Sequence, residues 1–231
     1  MRRGLITPML ALALMIFRSE AQEKEPAAPV TPEQINALEF KEGGKAPFLG
    51  VFTHVEPIVD MPQKVESLKA LLADNPYISG ITMKLQWKQF HPEKDRIDWE
   101  NLEQLISIAA SAGKFVNLAL ITGAATPEWV YAEGAQKAGP LKWAKQDTHV
   151  PLPWDPKFME LYLNDLKAIA ERYGNDPRVF QVQVVGHNYN PNGEEMHAPS
   201  VASMEPYGWT REIVLENWRY WIDQYNTLFP K

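Results

Sequence analysis

From Pro47 onward the apolar period of this chain switches between two and 3.6 four times, and no other feature narrows its possible folds as much. A period of two marks a strand and 3.6 a helix, so the chain reads as strand and helix in alternation around a parallel sheet. The strands are expected at residues 48–54, 78–87, 115–122 and 179–186. Asp60 with Pro62 just inside, Asp98, Asp155 with Pro156, and Thr210 open the helices that follow. Asp and Thr side chains accept from the free N–H groups of a first turn, and proline fits there because its missing N–H would have no partner. Leu102, Leu105, Ile106 and Ala109 form one expected buried stripe, and Phe158, Tyr162, Leu166, Ile169 and Tyr173 another.

Loop lengths add a direction. Helix-to-strand joins are short, whereas the third and fourth strand-to-helix joins run to about 33 and 24 residues, far beyond the usual connection. Long loops that all follow strands are how a (β/α) barrel builds its site at the strand C-termini. An open doubly wound sheet would place a site at the same end. The second strand favours the barrel. Ile81, Met83, Leu85 and Trp87 share one face and Thr82, Lys84 and Gln86 the other, and Gln181 and Gln183 repeat the pattern. A polar face suits a barrel centre better than a sheet covered by helices on both sides. The expected fold is therefore α/β, of (β/α)8 TIM-barrel type, with only the first four β/α units present: a half barrel.

Ahead of this body, Arg2 and Arg3 precede an apolar run from Leu5 to Phe17 and a small-residue site at Ser19-Glu20-Ala21, the pattern of a secretory signal peptide cut after Ala21. Residues 22–46 read as an N-terminal tether and 47–231 as the folded domain. Cutting at that point leaves 20 positive and 28 negative side chains, a net charge of −8, which disfavours nucleic acid as a partner. No later stretch reaches the ~20 apolar residues a membrane span needs, so no membrane association is expected after cleavage. The chain has no cysteine. Disulfides and thiolate chemistry are thereby excluded, and the expected location is the periplasm or the exterior of a bacterium.

The segments WKQFHPEKDRIDWENLEQLISIAASAGKFVNLAL, ATPEWVYAEGA, VPLPWDP and ERYGNDPRVFQVQVVG carry a resemblance over about residues 47–229. They are similar to the N-terminal half of clan A glycoside hydrolase barrels, the group holding the family 42 β-galactosidases and the family 5 enzymes. The resemblance implies a general acid/base glutamate just after the fourth strand and a nucleophilic glutamate after the seventh. By position the first falls on Glu195, with Glu194 as the alternative; Gly193 and Glu194 precede Glu195, a departure from the Asn-Glu pair common in that clan.

The residues have a physical reading beside the resemblance. Glycoside cleavage takes one carboxylic acid to protonate the leaving oxygen and a second carboxylate to attack or to activate water, roughly 5 to 9.5 Å away. Side chains of consecutive residues diverge, so Glu194 and Glu195 cannot be that pair. Trp87, Trp129 and Trp154, with Trp143 and Trp209, are placed to cover the apolar faces of sugar rings or else to pack the loops down. Lys84, Gln86, His54, Glu56, His187 and Asn188 follow or line the strand ends as candidate hydroxyl binders.

An oligo- or polysaccharide is the expected substrate, with no cofactor and no metal. His187 and His197 lack any recognised ligand spacing, and dinucleotide, P-loop and serine-hydrolase motifs are absent. A full barrel takes roughly 250 residues, so the nucleophile that the resemblance calls for is not expected in these four units, and the chain alone is expected to be inactive. The missing half would come in cis, or by self-association. Two alternatives stand beside the glycosidase: a non-catalytic carbohydrate-binding or pseudoenzyme barrel fragment, and a lyase barrel forming a Schiff base on Lys84.

Overall fold

The computed structural model of the chain describes residues 50–55, 62–143, 146–185, 202 and 204–230. Its centre is a four-stranded parallel sheet built from β1 (Val51–Val55), β2 (Ile78–Gln86), β3 (Phe115–Ile121) and β6 (Val179–Val182), in the order β1-β2-β3-β6. Helices α1 (Pro62–Asp74), α3 (Trp99–Ser111), α5 (Pro156–Tyr173) and α6 (Arg211–Leu228) follow the four strands in turn. The alternation of periods thus became four β/α units in sequential order, the half barrel expected.

The helix ends lie where the sequence chemistry put them. Asp98, Asp155 and Thr210 each accept from a first-turn N–H, of Asn101, Phe158 and Ile213 respectively. After α3 the chain reverses through Gly113 at φ +67°, a left-handed conformation in which a Cβ would be strained.

Both expected stripes are buried, and they meet the apolar face of the sheet: Ile81, Met83 and Leu85 from β2, and Val116, Leu118 and Leu120 from β3. Removing a Leu or Ile side chain of this kind from water stabilises the fold by about 1.5–3 kcal/mol. Polar links fix the packing. The Tyr162 hydroxyl donates to the Leu120 carbonyl at 2.8 Å and lies 2.9 Å from the Tyr225 hydroxyl, which also reaches the Val185 carbonyl at 2.9 Å. Outside the core, Glu103 of α3 accepts from Arg178 Nη1 at 2.6 Å and from the Tyr173 hydroxyl at 3.1 Å. The Arg178 guanidinium holds the Glu103 carboxyl below its ordinary range.

The other face of the sheet is the one expected to line a barrel centre. At its N-terminal end Phe180 lies 6.1 Å from Phe52 and 6.1 Å from Phe115, with Gly80 in register between the outer two rings. A Cβ on Gly80 would overlap the Phe52 ring and the Phe115 carbonyl, so glycine is what lets the aromatic layer form.

Two expectations are corrected. The fourth strand, expected to run to Gly186, has its ladder only to Val182. The join of about 33 residues after β3, expected as a long loop, holds a short helix α4 (Glu128–Ala132) and an antiparallel hairpin of β4 (Lys137–Trp143) with β5 (Gln146–Pro151). This hairpin packs on the segment before α6 through Ala138, Val150, Leu152 and Met204. The Tyr207 hydroxyl bonds both the N–H and the carbonyl of Gly139, each at 3.2 Å.

Candidate active site

Strand register decides which side chains share the inner face. His54 pairs with Thr82, Thr82 with Asn117, and Asn117 with Gln181, so these four form one polar layer above the phenylalanines. Lys84 lies beside Ala119 in the next layer, and Gln86 beside Ile121 at the C-terminal rim. Ala119, Ile121, Ala125 and Val185 make a small apolar cluster there. The rim therefore offers an amine and an amide next to an apolar wall, a lining that can orient a polyhydroxylated ring. Of the residues singled out in the sequence, the structure brings His54, Lys84 and Gln86 to this face. Glu56, His187, Asn188, Glu194 and Glu195 lie outside the described residues, as do His197, the signal-like segment and the tether.

Trp87 is not at the rim. It begins a short helix, α2 (Trp87–Phe90), and is 0% exposed, so it has no face to offer a sugar. Alternation explains the correction, since Trp87 continues the Ile81, Met83, Leu85 face that packs against the helices. Its ring meets Trp129, Phe158 and Tyr162 edge-on at 5.9, 6.0 and 5.3 Å.

Its indole N–H donates to Asp165 Oδ2 at 2.5 Å, and the same oxygen lies 2.8 Å from His91 Nδ1. The other ring nitrogen, His91 Nε2, is 2.9 Å from the Lys94 carbonyl, which can only accept. Burial pushes the His91 ring toward neutrality, but the Asp165 carboxylate, the Lys94 carbonyl and Asp95 together outweigh it and hold its pKa above the ordinary value. This buried pair joins the loop after β2 to α5. It escaped the sequence reading, although Asp165 interrupting the apolar stripe of α5 was a visible signal.

The loop tryptophans also serve packing. Trp129 is half-buried against Trp87, lies 4.5 Å from His91 ring to ring, and donates its indole N–H to the His91 carbonyl at 2.8 Å. Trp154 donates to the Tyr207 carbonyl at 3.3 Å. Among the described residues no group of three or more His, Asp or Glu could hold a metal, and no helix is long and apolar enough to cross a membrane.

Four β/α units whose polar inner face opens at the strand C-termini define half of a (β/α)8 barrel. The family 42 glycoside hydrolase model, described as beta-galactosidase, matches residues 77–208, more than half of the sequence. The chain belongs to glycoside hydrolase family 42. Among solved structures, the GH42 β-galactosidase Gan42B of G. stearothermophilus superposes with a TM-score of 0.54 at 14% identity, over 80% of this chain and 35% of that one. A β-galactosidase from Halorubrum lacusprofundi aligns over 58% of this chain and 20% of its own, at 19% identity and TM-score 0.48. A GH5 protein from Streptomyces cattleya aligns over 78% and 42%, at 17% identity and TM-score 0.49. The chain thus spans less than half the length of each.

Proposed function

We propose that this chain contributes the acid/base side of an exported glycosidase acting on β-galactosides. The observation that carries the reading is the family 42 match, which runs from the start of β2 through the loop that follows β6 and so includes Glu194 and Glu195. In this reading Glu195 donates a proton to the glycosidic oxygen as the bond to the sugar breaks, then takes a proton from the incoming water. A second carboxylate, about 5–5.5 Å away for retention of configuration, forms and releases the glycosyl intermediate. Lys84, Gln86 and His54 hold sugar hydroxyls, helped by Glu56, His187 and Asn188. Trp129 and Trp154 flank the cleft, and the leader is removed after Ala21 on export.

One observation favours a second reading, a sugar-binding module without hydrolysis. Among the described residues, the inner-face positions of the four strands carry hydroxyl, amide, amine and imidazole groups but no carboxylate.

Titration calorimetry of the full chain with a galactose-type iminosugar, together with turnover of alkyl and 4-nitrophenyl β-galactosides, separates the two. The glycosidase reading expects saturable binding, weakened by Lys84→Ala and Gln86→Ala, and turnover in an assembly that supplies the second carboxylate. Glu195→Gln should then lower kcat/KM for the alkyl substrate by about 10²–10⁴ while sparing kcat/KM for the activated aryl substrate, whose leaving group needs no proton. A larger loss in Glu194→Gln would move the assignment to that residue. Binding without turnover even where the second carboxylate is supplied supports the module, and neither binding nor turnover sinks both.

A further inference from the structure

The parallel ladder between β3 and β6 stops short of the end of β3. Its register pairs Val116 with Val179, Asn117 with Gln181 and Leu118 with Val182, and the Gln183 N–H donates to the Leu118 carbonyl at 2.7 Å. A parallel ladder repeats every second residue, so the next bond in this register would run from the Val185 N–H to the Leu120 carbonyl. The Leu120 carbonyl instead accepts from the Tyr162 hydroxyl of α5 at 2.8 Å. The Val185 carbonyl accepts from the Tyr225 hydroxyl of α6 at 2.9 Å, and the two hydroxyls lie 2.9 Å apart. Side chains from two helices stand where the sheet would have closed.

Counting protons shows the consequence. A neutral tyrosine hydroxyl has one proton to give, and a backbone carbonyl has none. Tyr162 is 0% and Tyr225 3% exposed, and burial raises both phenol pKa values, so both keep their protons at neutral pH. Three contacts of hydrogen-bond length, from Leu120 to Tyr162 to Tyr225 to Val185, are therefore served by two protons. If each hydroxyl donates to its carbonyl, the two oxygens face each other with no proton between them. If Tyr162 donates to Tyr225 and Tyr225 to Val185, the Leu120 carbonyl loses the tyrosine donor. One more donor would complete the set, and the register supplies it in the Val185 N–H, one ladder step beyond Gln183. Val185 is buried against Ala119, Ile121 and Ala125, so bulk water does not reach this point.

We propose that Tyr162 and Tyr225 form a two-position latch on the end of β6. In one position, the observed arrangement, each hydroxyl holds a carbonyl and the ladder ends at Gln183. In the other, Tyr162 turns its proton to Tyr225, Tyr225 keeps the Val185 carbonyl, and the Leu120 carbonyl takes the Val185 N–H. The ladder is then one bond longer, with three donors for three acceptors. Passing between the two requires rotation about two C–O bonds and a small movement of the strand end. The latch decides how far along β6 the sheet holds the chain, and it is independent of the sugar chemistry proposed above.

Amide hydrogen exchange of the full chain, read residue by residue by NMR, tests it. The quantity read is the ratio of the Val185 rate to the Gln183 rate, because a change in overall stability moves both amides together. Tyr162→Phe frees the Leu120 carbonyl for the ladder and should lower the ratio about tenfold, so that removing a hydrogen bond adds protection at one amide. A through-bond coupling between the Val185 nitrogen and the Leu120 carbonyl carbon should appear in the same variant. Tyr225→Phe leaves Tyr162 committed to Leu120 and releases Val185, and should raise the ratio about tenfold. Both substitutions keep the ring and remove one oxygen, and circular dichroism checks the fold. A ratio unchanged or raised in Tyr162→Phe overturns the proposal, because the hydroxyls are then a fixed wedge. Should Tyr162→Phe not fold, Tyr225→Phe decides alone, and an unchanged or lowered ratio there overturns it.

Discussion

At the scale of the residue, His91 links stability to pH. Its two ring nitrogens face a carboxylate and a carbonyl, so the pair is complete only when both carry protons. With the folded pKa raised above 6.5, the ring binds its proton more tightly in the native state than in the unfolded chain. That stabilisation is whole below about pH 6.5 and is lost as pH rises through the folded pKa. Thermal melts should show a midpoint that falls as the pH is raised from about 6 to 9, and His91→Gln should remove that slope. Equal slopes in the two proteins would mean the ring is not charged. Asp165→Leu leaves two buried donors with no acceptor, and should cost about 3–5 kcal/mol in urea unfolding. A loss below about 1 kcal/mol would show that the cluster rearranges. In the sequence Asp165 is visible as a charge on an apolar stripe, but its partner stands 74 residues earlier, and no local pattern points that far.

At the scale of the element, capping was legible because it acts over three residues. Burial of a cap was not. Asp155 is 5% exposed and accepts from Phe158 N at 2.9 Å, whereas Thr210 is exposed and accepts from Ile213 N at 3.1 Å. Asp155→Ala should cost about 2 kcal/mol and Thr210→Ala about 0.5–1, read as shifts in urea midpoint at constant slope. Equal losses would show that water does not replace the exposed cap more readily than the buried one.

The β4–β5 hairpin went unread for a related reason. Gly139 and Pro140 interrupt β4, and its register skips between Ala138 and Leu141, so neither strand alternates as a free-standing strand should. Its pairing comes from the opposite strand and from Tyr207, 68 residues away. The ladder of β6 carries one extra residue, Phe180, between the pairs Val116–Val179 and Asn117–Gln181, and its last bond to β3 among the described residues runs from the Gln183 N–H to the Leu118 carbonyl at 2.7 Å.

At the scale of the whole molecule, one core joins the helices to the apolar face of the sheet, so the described body should unfold in a single transition. Urea unfolding followed by tryptophan fluorescence and by circular dichroism should give coincident midpoints, and two separated transitions would show that the units fold apart.

What the linear order determined by itself is what short-range sterics and hydrogen bonding control: four strands and four helices in sequence, their caps, their buried stripes, and a sheet with one polar face. The tertiary structure alone decided which polar groups meet and which rings stay dry. Trp87 is the clearest case. Its alternation with Ile81, Met83 and Leu85 was readable, but its complete burial depends on Phe158, Tyr162 and Asp165 arriving from a helix more than 70 residues later. Burial is a property of the packed assembly, since it depends on what covers a side chain as well as on what the side chain is.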